Sequence, residues 1–334
     1  MQNRNKILFL LLTILIVVLF AIDMMVGSVG ISVGEVWAAV TGGECDPIKA
    51  KIIIDIRLMK AIVAILAGAA LSVSGLQMQT LFRNPLAGPY VLGVSSGASL
   101  GVALFILGAP LVGLSSSPIL SSLGVAGAAW IGSAAVLALV ATVSRHIKDI
   151  MVILILGMMI GSAVSAIVQI LQYMSHEEAL KGFVVWTMGS LGDVTISQLW
   201  LVALAIISGL IISIAVIKPM NLMLLGEAYA RTMGLNIQRT RSLILLSTTL
   251  LAGTTTAFCG PVGFIGLAIP HLARIIFQNA DHRVLLPASM LSGAISLLLC
   301  DIVSKLLTLP VNTVTALLGI PIVVWVVVRN KNIV

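Results

Sequence analysis

The amino-acid sequence predicts an all-α, polytopic membrane protein. Of its 334 residues, 59% are hydrophobic and 9% are charged, and the mean hydropathy is +1.16, whereas soluble domains carry about 25% charged residues. A soluble globular fold is therefore excluded. The net charge of +7 does not indicate a nucleic-acid-binding protein, because the cations are scattered between apolar runs and form no basic surface.

Apolar runs bounded by charged or turn residues predict ten transmembrane spans. Their approximate bounds are 7–26, 60–81, 91–109, 119–143, 150–173, 197–217, 243–259, 262–278, 284–304 and 312–328. Residues 242–280 are barely long enough for two spans, and we divide them at GTTTAFCGPVG. The first run follows MQNRNK without a prompt small-residue cleavage site, so we interpret it as a retained span and not as a signal peptide.

An even number of spans places both termini on one side of the membrane, and the basic residues predict that this side is cytoplasmic. Most of the 19 Lys and Arg residues then fall inside. The cations predicted to lie outside are Lys49, Lys51, Arg57, Lys60, Lys181 and Lys305.

The chain has no polar region large enough for an enzyme domain of its own. Its longest polar stretches are 27–59 and 218–241, and no G-x-x-x-x-G-K-[ST] phosphate loop is present. We therefore interpret residues 1–334 as one transmembrane domain that is not itself an enzyme. An ion-coupled secondary carrier is the rival class, but it needs carboxylates within its spans, and Asp301 is the only one near a predicted helix interior.

Helix-breaking residues are concentrated in RNPLAGPYVLGVSSGAS, residues 83–99. Pro85 and the Gly88-Pro89 pair predict a turn, and glycines at 93, 97 and 101 form two overlapping GxxxG spacings. Two interpretations are open: close packing of the third span against another helix, or a non-helical backbone that lines a covered pathway. GPVGFIGLAIPHLAR, residues 260–274, repeats the pattern five spans later, as an inverted five-helix repeat requires.

These two segments, together with DHRVLLPAS at 281–289 and WTMGSLGD at 186–193, resemble hallmarks of the FecCD-type permeases. Those permeases are the membrane subunits of bacterial ABC importers for iron-siderophores, heme and vitamin B12. The resemblance runs from about residue 50 to the C-terminus. It implies a ten-helix homodimer in the bacterial inner membrane, with both termini cytoplasmic and no cofactor.

The resemblance also implies the partners and the cargo. Two copies of a cytoplasmic ATPase subunit would supply ATP hydrolysis, and a periplasmic substrate-binding protein would deliver the substrate. An iron-siderophore complex is the expected cargo, with vitamin B12 or heme as the alternative. Ser95, Ser96 and Gly97 are expected at the inner gate of the translocation path, and Trp186 and Gly189 at its outer mouth.

The stretch LLGEAYARTMGLNIQRTR, residues 224–241, is the most polar predicted inner loop. Gly234 can stop a short helix there, and Asn236 can cap a second one. The charge alone is explained by a basic loop that obeys the positive-inside rule. The resemblance instead implies a helix that couples to the ATPase, and the residues that match its L-G-E-x-x-A-x-x-x-G pattern are Leu225, Gly226, Glu227, Ala230 and Gly234.

Three of the predicted outer cations match basic residues that, in the family, meet glutamates of the binding protein. Arg57 and Lys60 are three residues apart and share one helix face, and Lys305 ends the ninth span on the same side. The alternative is that all three side chains reach toward lipid headgroups.

No metal site is predicted. The three cysteines lack metal-ligand spacing, and no two histidines have the spacing that would place them on one helix face. The residues concerned are Cys45, Cys259, Cys300, His146, His176, His271 and His282.

Overall fold

The computed structural model describes residues 2–108, 121–144, 147 and 149–329, and within these ranges the regular structure is entirely helical. The first helices are α1 (Gln2–Met25), α2 (Val33–Thr41), α3 (Pro47–Lys51), α4 (Met59–Phe82), α5 (Val94–Ala103), α6 (Ser121–Ser144), α7 (Ile150–Met174) and α8 (Glu177–Thr187). The remainder are α9 (Ile196–Ala215), α10 (Ile217–Leu224), α11 (Glu227–Thr232), α12 (Ile237–Thr248), α13 (Thr254–Cys259), α14 (Ile265–Phe277), α15 (His282–Leu307) and α16 (Val311–Arg329). π-Helical turns at Ile52–Leu58, Leu104–Gly108 and Thr249–Gly253 continue α3 into α4, extend α5 and join α12 to α13.

Each of the ten predicted spans coincides with a helix of the structure. Five described helices are long and apolar enough to cross a membrane, and four shorter ones are apolar over 13 to 17 residues. The uncertain division of residues 242–280 is correct, because one helix ends at Cys259 and the next begins at Ile265. Residues 119–120 of the fourth predicted span and His146 lie outside the described residues.

Helix α4 is the centre of the fold, and every residue from Ala67 to Phe82 is buried. It packs against α1, α9, α12, α14 and α15. Glycine pairs allow backbone to meet backbone there, since a Cβ on Gly68 would overlap the carbonyl oxygen of Gly293, and one on Gly75 would overlap that of Gly266. Membrane helices gain no hydrophobic energy from leaving lipid for each other, so such close van der Waals contact is a main source of their association.

Buried polar side chains tie α4 to two further helices. The Gln77 amide donates to the hydroxyls of Ser213 on α9 and Ser247 on α12, both at 3.0 Å, and accepts from Thr248 at 3.1 Å. All four side chains are buried. Because each amide atom has a partner, the cluster fixes the register of the three helices without leaving an unsatisfied polar group in apolar surroundings.

The GxxxG spacings of the third span produce the expected close packing. A Cβ on Gly97 would collide with the backbone of Gly132 on α6, and one on Gly101 would collide with that of Ala128. The segment before α5 is non-helical; its first residues are exposed, whereas residues 87–93 are buried or half-buried. The Tyr90 hydroxyl donates to the carbonyl of Val262 at 3.0 Å. The expected close packing is therefore confirmed, and the role of the non-helical part in a pathway stays a prediction.

The two Gly-Pro elements precede short helices that run in opposite directions. Each helix begins directly after a residue with a left-handed backbone, Gly93 (φ 77°) before α5 and Phe264 (φ 65°) before α14. Helix α5 runs toward α8, whereas α14 ends at Phe277, whose carbonyl accepts from Arg4 near the start of α1. This arrangement agrees with the predicted inverted repeat.

The glycine contacts of α4 give a direct stability test. We expect Gly75→Ala to destabilise the protein by at least about 1–3 kcal/mol, the usual cost of overpacking, because its Cβ would meet rigid backbone. The matched control is Gly127→Ala, since Gly127 is exposed within α6 and a Cβ there meets nothing within 4 Å. Thermal unfolding in detergent measures both variants, and equal melting temperatures would contradict the proposed importance of this contact.

Candidate functional site

Residues 217–236, here called the coupling segment, form two short helices and the turn that leads to a third. Gly226 (φ 115°) separates α10 from α11, and Gly234 (φ 82°) follows the end of α11. The Asn236 side chain accepts from the backbone N–H of Arg239 and caps α12, as the sequence predicted. Left-handed backbone at both glycines explains why residues without a Cβ occur at these turns.

An exposed apolar stripe runs along the coupling segment. Leu225, Tyr229 and Met233 recur every four residues and are 65%, 49% and 59% exposed. Neighbouring Ala230 is fully buried, so α11 presents one face to the protein and the other outward. Large apolar side chains that are exposed together on a polar connection are typical of a surface that a partner protein covers.

The five residues predicted to couple to an ATPase therefore have different surroundings. Leu225 belongs to the exposed stripe, whereas Ala230 packs inward. The Glu227 carboxylate pairs with Arg241 of α12 at 2.6 Å and holds α11 against that helix. Gly226 and Gly234 provide the turns, and a Cβ at Gly234 would meet nothing within 4 Å.

The connection that follows α4 is bound from two sides. Arg83 has a left-handed backbone (φ 48°), and its guanidinium donates to the carbonyl of Met223 in the coupling segment at 2.7 Å. The carbonyl of Pro85 lies 2.6 Å from Nε2 of His271 on α14. The breaker-rich stretch is thus in direct contact with the coupling segment.

A cavity of about 580 Å³ opens beside the start of α5. Its lining residues are uncharged, and they are Tyr90, Val91, Gly93, Ser96, Gly157, Met158, Gly161, Ser162, Ser165, Ala166 and Gln169. Most of them come from α7, whose contribution the sequence did not reveal. Hydroxyl and amide groups of this kind bind a polar solute weakly and carry no fixed charge that would retain an ion.

Of the three predicted gate residues, only Ser96 lines this cavity. Ser95 is half-buried outside its lining. Gly97 is buried against Gly132 and serves the packing of α5 on α6, and its place at the inner gate stays a prediction.

Residues 186–193, here called the mouth segment, are hydrogen-bonded to the end of α13 and to the start of α16. The N–H of Ser190 donates to the carbonyl of Cys259 at 2.9 Å, and the N–H of Asn312 donates to that of Met188 at 3.3 Å. Gly189 is buried with φ 74°, and Trp186 lines a separate cavity of about 280 Å³. Both predicted mouth residues therefore lie beside the second Gly-Pro element.

Four ionised side chains meet near the mouth segment and form what we call the buried ion cluster: Asp23, Lys60, Asp301 and Lys305. Lys305 pairs with both aspartates at 2.8 Å, and Lys60 pairs with Asp301 at 2.9 Å. Both aspartates are fully buried, while the lysine side chains are 19% and 10% exposed. The cluster joins the end of α1, the start of α4 and the end of α15.

Arg57, Lys60 and Lys305, for which docking of the binding protein is predicted, are all largely buried in the structure. Arg57 is 4% exposed, and its guanidinium donates to the carbonyls of Met24 and Met25 at 2.9 and 2.8 Å and also to that of Val29. Backbone carbonyls satisfy Arg57, and Asp301 pairs with Lys60. Lys305 pairs with Asp301 and also with Asp23, which lies within the first predicted span. One signal in the sequence could have revealed this cluster: Asp23 lies just before the end of the first span, and Lys60 and Lys305 lie at the ends of two other spans on the same side.

The remaining candidate ligands are dispersed. No group of three His, Cys, Asp or Glu side chains within the described ranges could hold a metal ion. Cys259 and Cys300 are buried free thiols, and His271 and His282 are hydrogen-bonded to groups of the protein. Their roles here are in packing and in connecting helices.

A helical bundle with an uncharged polar cavity and an exposed apolar segment at one end has the features of a membrane transport subunit that works with a partner. Comparison with known proteins makes this specific. The sequence profile of the FecCD transport family matches residues 14–329, and the chain belongs to that family.

Relatives of known name are similar over nearly the whole chain. The hemin transport system permease protein HmuU of Yersinia pestis is 36% identical, with 99% of this chain and 97% of that protein aligned. The vitamin B12 import system permease protein BtuC of Salmonella typhi is also 36% identical, over 99% and 98%. A solved structure, described as an inward-facing conformation of a metal-chelate type ABC transporter, matches with a TM-score of 0.84 and 31% identity over 97% of this chain and 99% of that one.

The buried ion cluster predicts a specific pattern of stabilities. Replacing Asp301 by Asn removes the carboxylate partner of Lys60 while Lys305 keeps Asp23, and removing one partner of a buried pair costs about 3–5 kcal/mol. The double variant Lys60→Met/Asp301→Asn restores one lysine to one aspartate, so we expect it to be more stable than Asp301→Asn alone.

The control for this cycle is Glu35→Gln, which breaks the partly exposed pair of Glu35 with Lys49. Exposed pairs contribute little, so its unfolding temperature should stay close to that of the wild type. A double variant that is less stable than Asp301→Asn would show that the four charges do not act as one unit.

Proposed function

We propose that this protein is the membrane-spanning permease subunit of an ABC importer for metal chelates. In this proposal it receives cargo from a periplasmic binding protein and releases it to the cytoplasm by alternating access, with energy from a separate ATPase. Membership of the FecCD transport family and the names of its relatives support this assignment.

The observation that carries the proposal is the coupling segment. It presents Leu225, Tyr229 and Met233 outward and is hydrogen-bonded through Met223 to the connection that follows α4. A surface for a partner is thus in direct contact with the non-helical segment that leads to the cavity. This is the connection that a transporter needs if an external ATPase drives it.

The buried ion cluster is an argument against an ion-coupled secondary carrier. An ion-coupled carrier needs an acid in its pathway that can take up and release the coupling ion. Among the described residues, the two buried carboxylates are Asp23 and Asp301, and both are paired with lysines. Neither lines the cavity beside Ser96.

The cargo is proposed to be a bulky chelate that crosses intact. A lining of hydroxyls, one amide, glycines and Met158 offers neither a strong metal ligand nor a fixed charge. Hemin and vitamin B12 appear in the names of two relatives, so these two chelates are candidate cargoes in addition to the iron-siderophore complex that the sequence predicted.

The assembly proposed here is a homodimer in the bacterial inner membrane, with both termini and the coupling segment cytoplasmic and two ATPase subunits below it. The docking role of Arg57, Lys60 and Lys305 stays a prediction. Among them Lys60 is the proposed contact for a carboxylate of the binding protein, since it is the most exposed and lies next to Gly192 of the mouth segment.

Reconstitution tests the function directly. The permease, its ATPase and its binding protein in proteoliposomes should take up a labelled metal chelate only when ATP is inside with the ATPase. Competition among hemin, cobalamin and a ferric siderophore identifies the cargo. Uptake that follows a proton or sodium gradient without the ATPase would contradict the proposal in favour of a secondary carrier.

The exposed stripe predicts where the ATPase binds. We expect Leu225→Asp/Tyr229→Asp to weaken copurification of the ATPase about tenfold or more, because buried apolar anchors dominate interface energies. The control is Trp37→Asp, which places an acid on a more exposed aromatic of α2, remote in the chain from the coupling segment. An unchanged yield of ATPase in the double variant would place the interface elsewhere.

A further inference from the structure

A chain of hydrogen bonds joins the coupling segment to the last turn of α4. The hydroxyl of Thr80 lies 2.8 Å from Nε2 of His282, the first residue of α15. Nδ1 of His282 lies 2.7 Å from Oδ1 of Asn221 on α10, and the Asn221 amide donates to the Asp281 carboxylate at 2.6 Å. Three helices therefore meet through Asn221 and His282.

The partners fix the direction of each bond in this chain. Oδ1 of Asn221 also accepts from the backbone N–H of His282 at 2.9 Å, and the Asp281 carboxylate can only accept, so the amide orientation is set. Nδ1 of His282 must then carry the proton that it donates to Asn221. In the neutral ring Nε2 is an acceptor, so its bond with Thr80 uses the single proton of that hydroxyl, which also has the carbonyl of Leu76 at 2.9 Å as an alternative acceptor.

Asp281 is held in its acceptor form by its own position at the start of α15. Its carboxylate accepts from the backbone N–H of Arg283 at 2.8 Å, and this hydrogen bond lowers the pKa of the Asp281 carboxyl below its ordinary value. A carboxylate in this position caps α15 and accepts a strong, charge-assisted bond from Asn221.

A second connection runs in parallel through Arg83, whose guanidinium is bonded to the carbonyl of Met223. Asn221 and Met223 belong to the same helix, and Thr80 and Arg83 both lie at the end of α4. Met220 and Met223 add apolar packing, but apolar contact is non-directional and allows sliding. The hydrogen bonds are directional, and they therefore fix the position of α10 relative to the end of α4.

We infer that Asn221 is a positioning residue that transmits movement of the coupling segment to the end of α4, through His282 to Thr80 and through Asp281 to the start of α15. This inference rests on the proposed function. The end of α4 leads through residues 83–93 to the Ser96 cavity, so a displacement of α10 reaches the cavity by the shortest covalent path. Asn221 is four residues before the exposed Leu225, where force from a partner would enter.

The test exchanges donor and acceptor within one pair. Asn221→Asp keeps the size of the side chain but sets two carboxylates against each other, and Asp281→Asn in the same chain restores one donor to one acceptor. Asparagine also caps helices well, so α15 keeps its cap in the exchanged variant. We expect Asn221→Asp to lower the cargo transported per ATP hydrolysed about tenfold, as for the loss of a charge-assisted bond, and the exchanged pair to recover most of it.

Three measurements on each variant distinguish a loss of coupling between ATP hydrolysis and transport from a loss of stability. Each variant is assembled with its ATPase and binding protein, and melting temperature, ATP hydrolysis and uptake of hemin, cobalamin and a ferric siderophore are measured on the same proteoliposomes. Arg283→Gln, an exposed change at the same corner, is the control and should transport like the wild type. Thr80→Val removes only the last hydroxyl of the chain and should shift the ratio in the same direction, even if Asn221→Asp does not assemble.

Two outcomes would overturn the inference. Uptake and ATP hydrolysis that fall together with the melting temperature, at an unchanged ratio, would show that Asn221 only stabilises the fold. A normal ratio in both Asn221→Asp and Thr80→Val would show that the hydrogen-bond chain transmits nothing. A wild-type assembly without ATP-driven uptake would instead refute the proposed function, and the inference with it.

Discussion

The rest of the structure depends on backbone contact between α4 and the pair α14 and α15. Gly75 faces Gly266 and Gly68 faces Gly293 at distances that no side chain tolerates. In a bilayer, apolar helices are as well solvated by lipid as by each other, so close approach of backbones has to supply association energy that the hydrophobic effect supplies in water. A helix held this closely along its buried length cannot move independently of its neighbours, and groups at its two ends are fixed relative to each other.

The ends of α4 carry the polar connections of the molecule. At one end Lys60 joins the buried ion cluster, and at the other Thr80 and Arg83 contact α15 and the coupling segment. Between them Gln77 fixes the register against α9 and α12. Each of these four side chains has partners on other helices, which the low dielectric of the interior makes necessary. The central helix is therefore both the packing core and the physical link between the mouth segment and the coupling segment.

The pattern of apolar runs was sufficient to predict the ten spans, including the division near Cys259, because hydrophobic length and breaker residues are local properties. Side-chain surroundings were less predictable. Asp23 looked like the edge of an apolar run, and Arg57 looked like an exposed cation, since neither residue's partner is close to it in sequence. The spacing around Gly97 fitted both a packing glycine and a gate residue, and only the structure shows that its packing partner is Gly132. The contribution of α7 to the cavity and the role of Asn221 depend on contacts across many helices, and no spacing within the chain indicates them.

The distribution of charge explains how such a protein can pass a chelate without retaining it. The buried carboxylates are neutralised by lysines beside the mouth segment, and the cavity beside Ser96 is lined by uncharged groups. A fixed charge in that cavity would be costly to bury without a partner, and it would bind either the metal or an ionised group of the chelate strongly. Separating the two regions lets ion pairs hold the helix ends while hydroxyls and glycines line the cavity. In the function proposed above, tight binding then has to be supplied by the binding protein, and the energy for release by the ATPase that acts on the coupling segment.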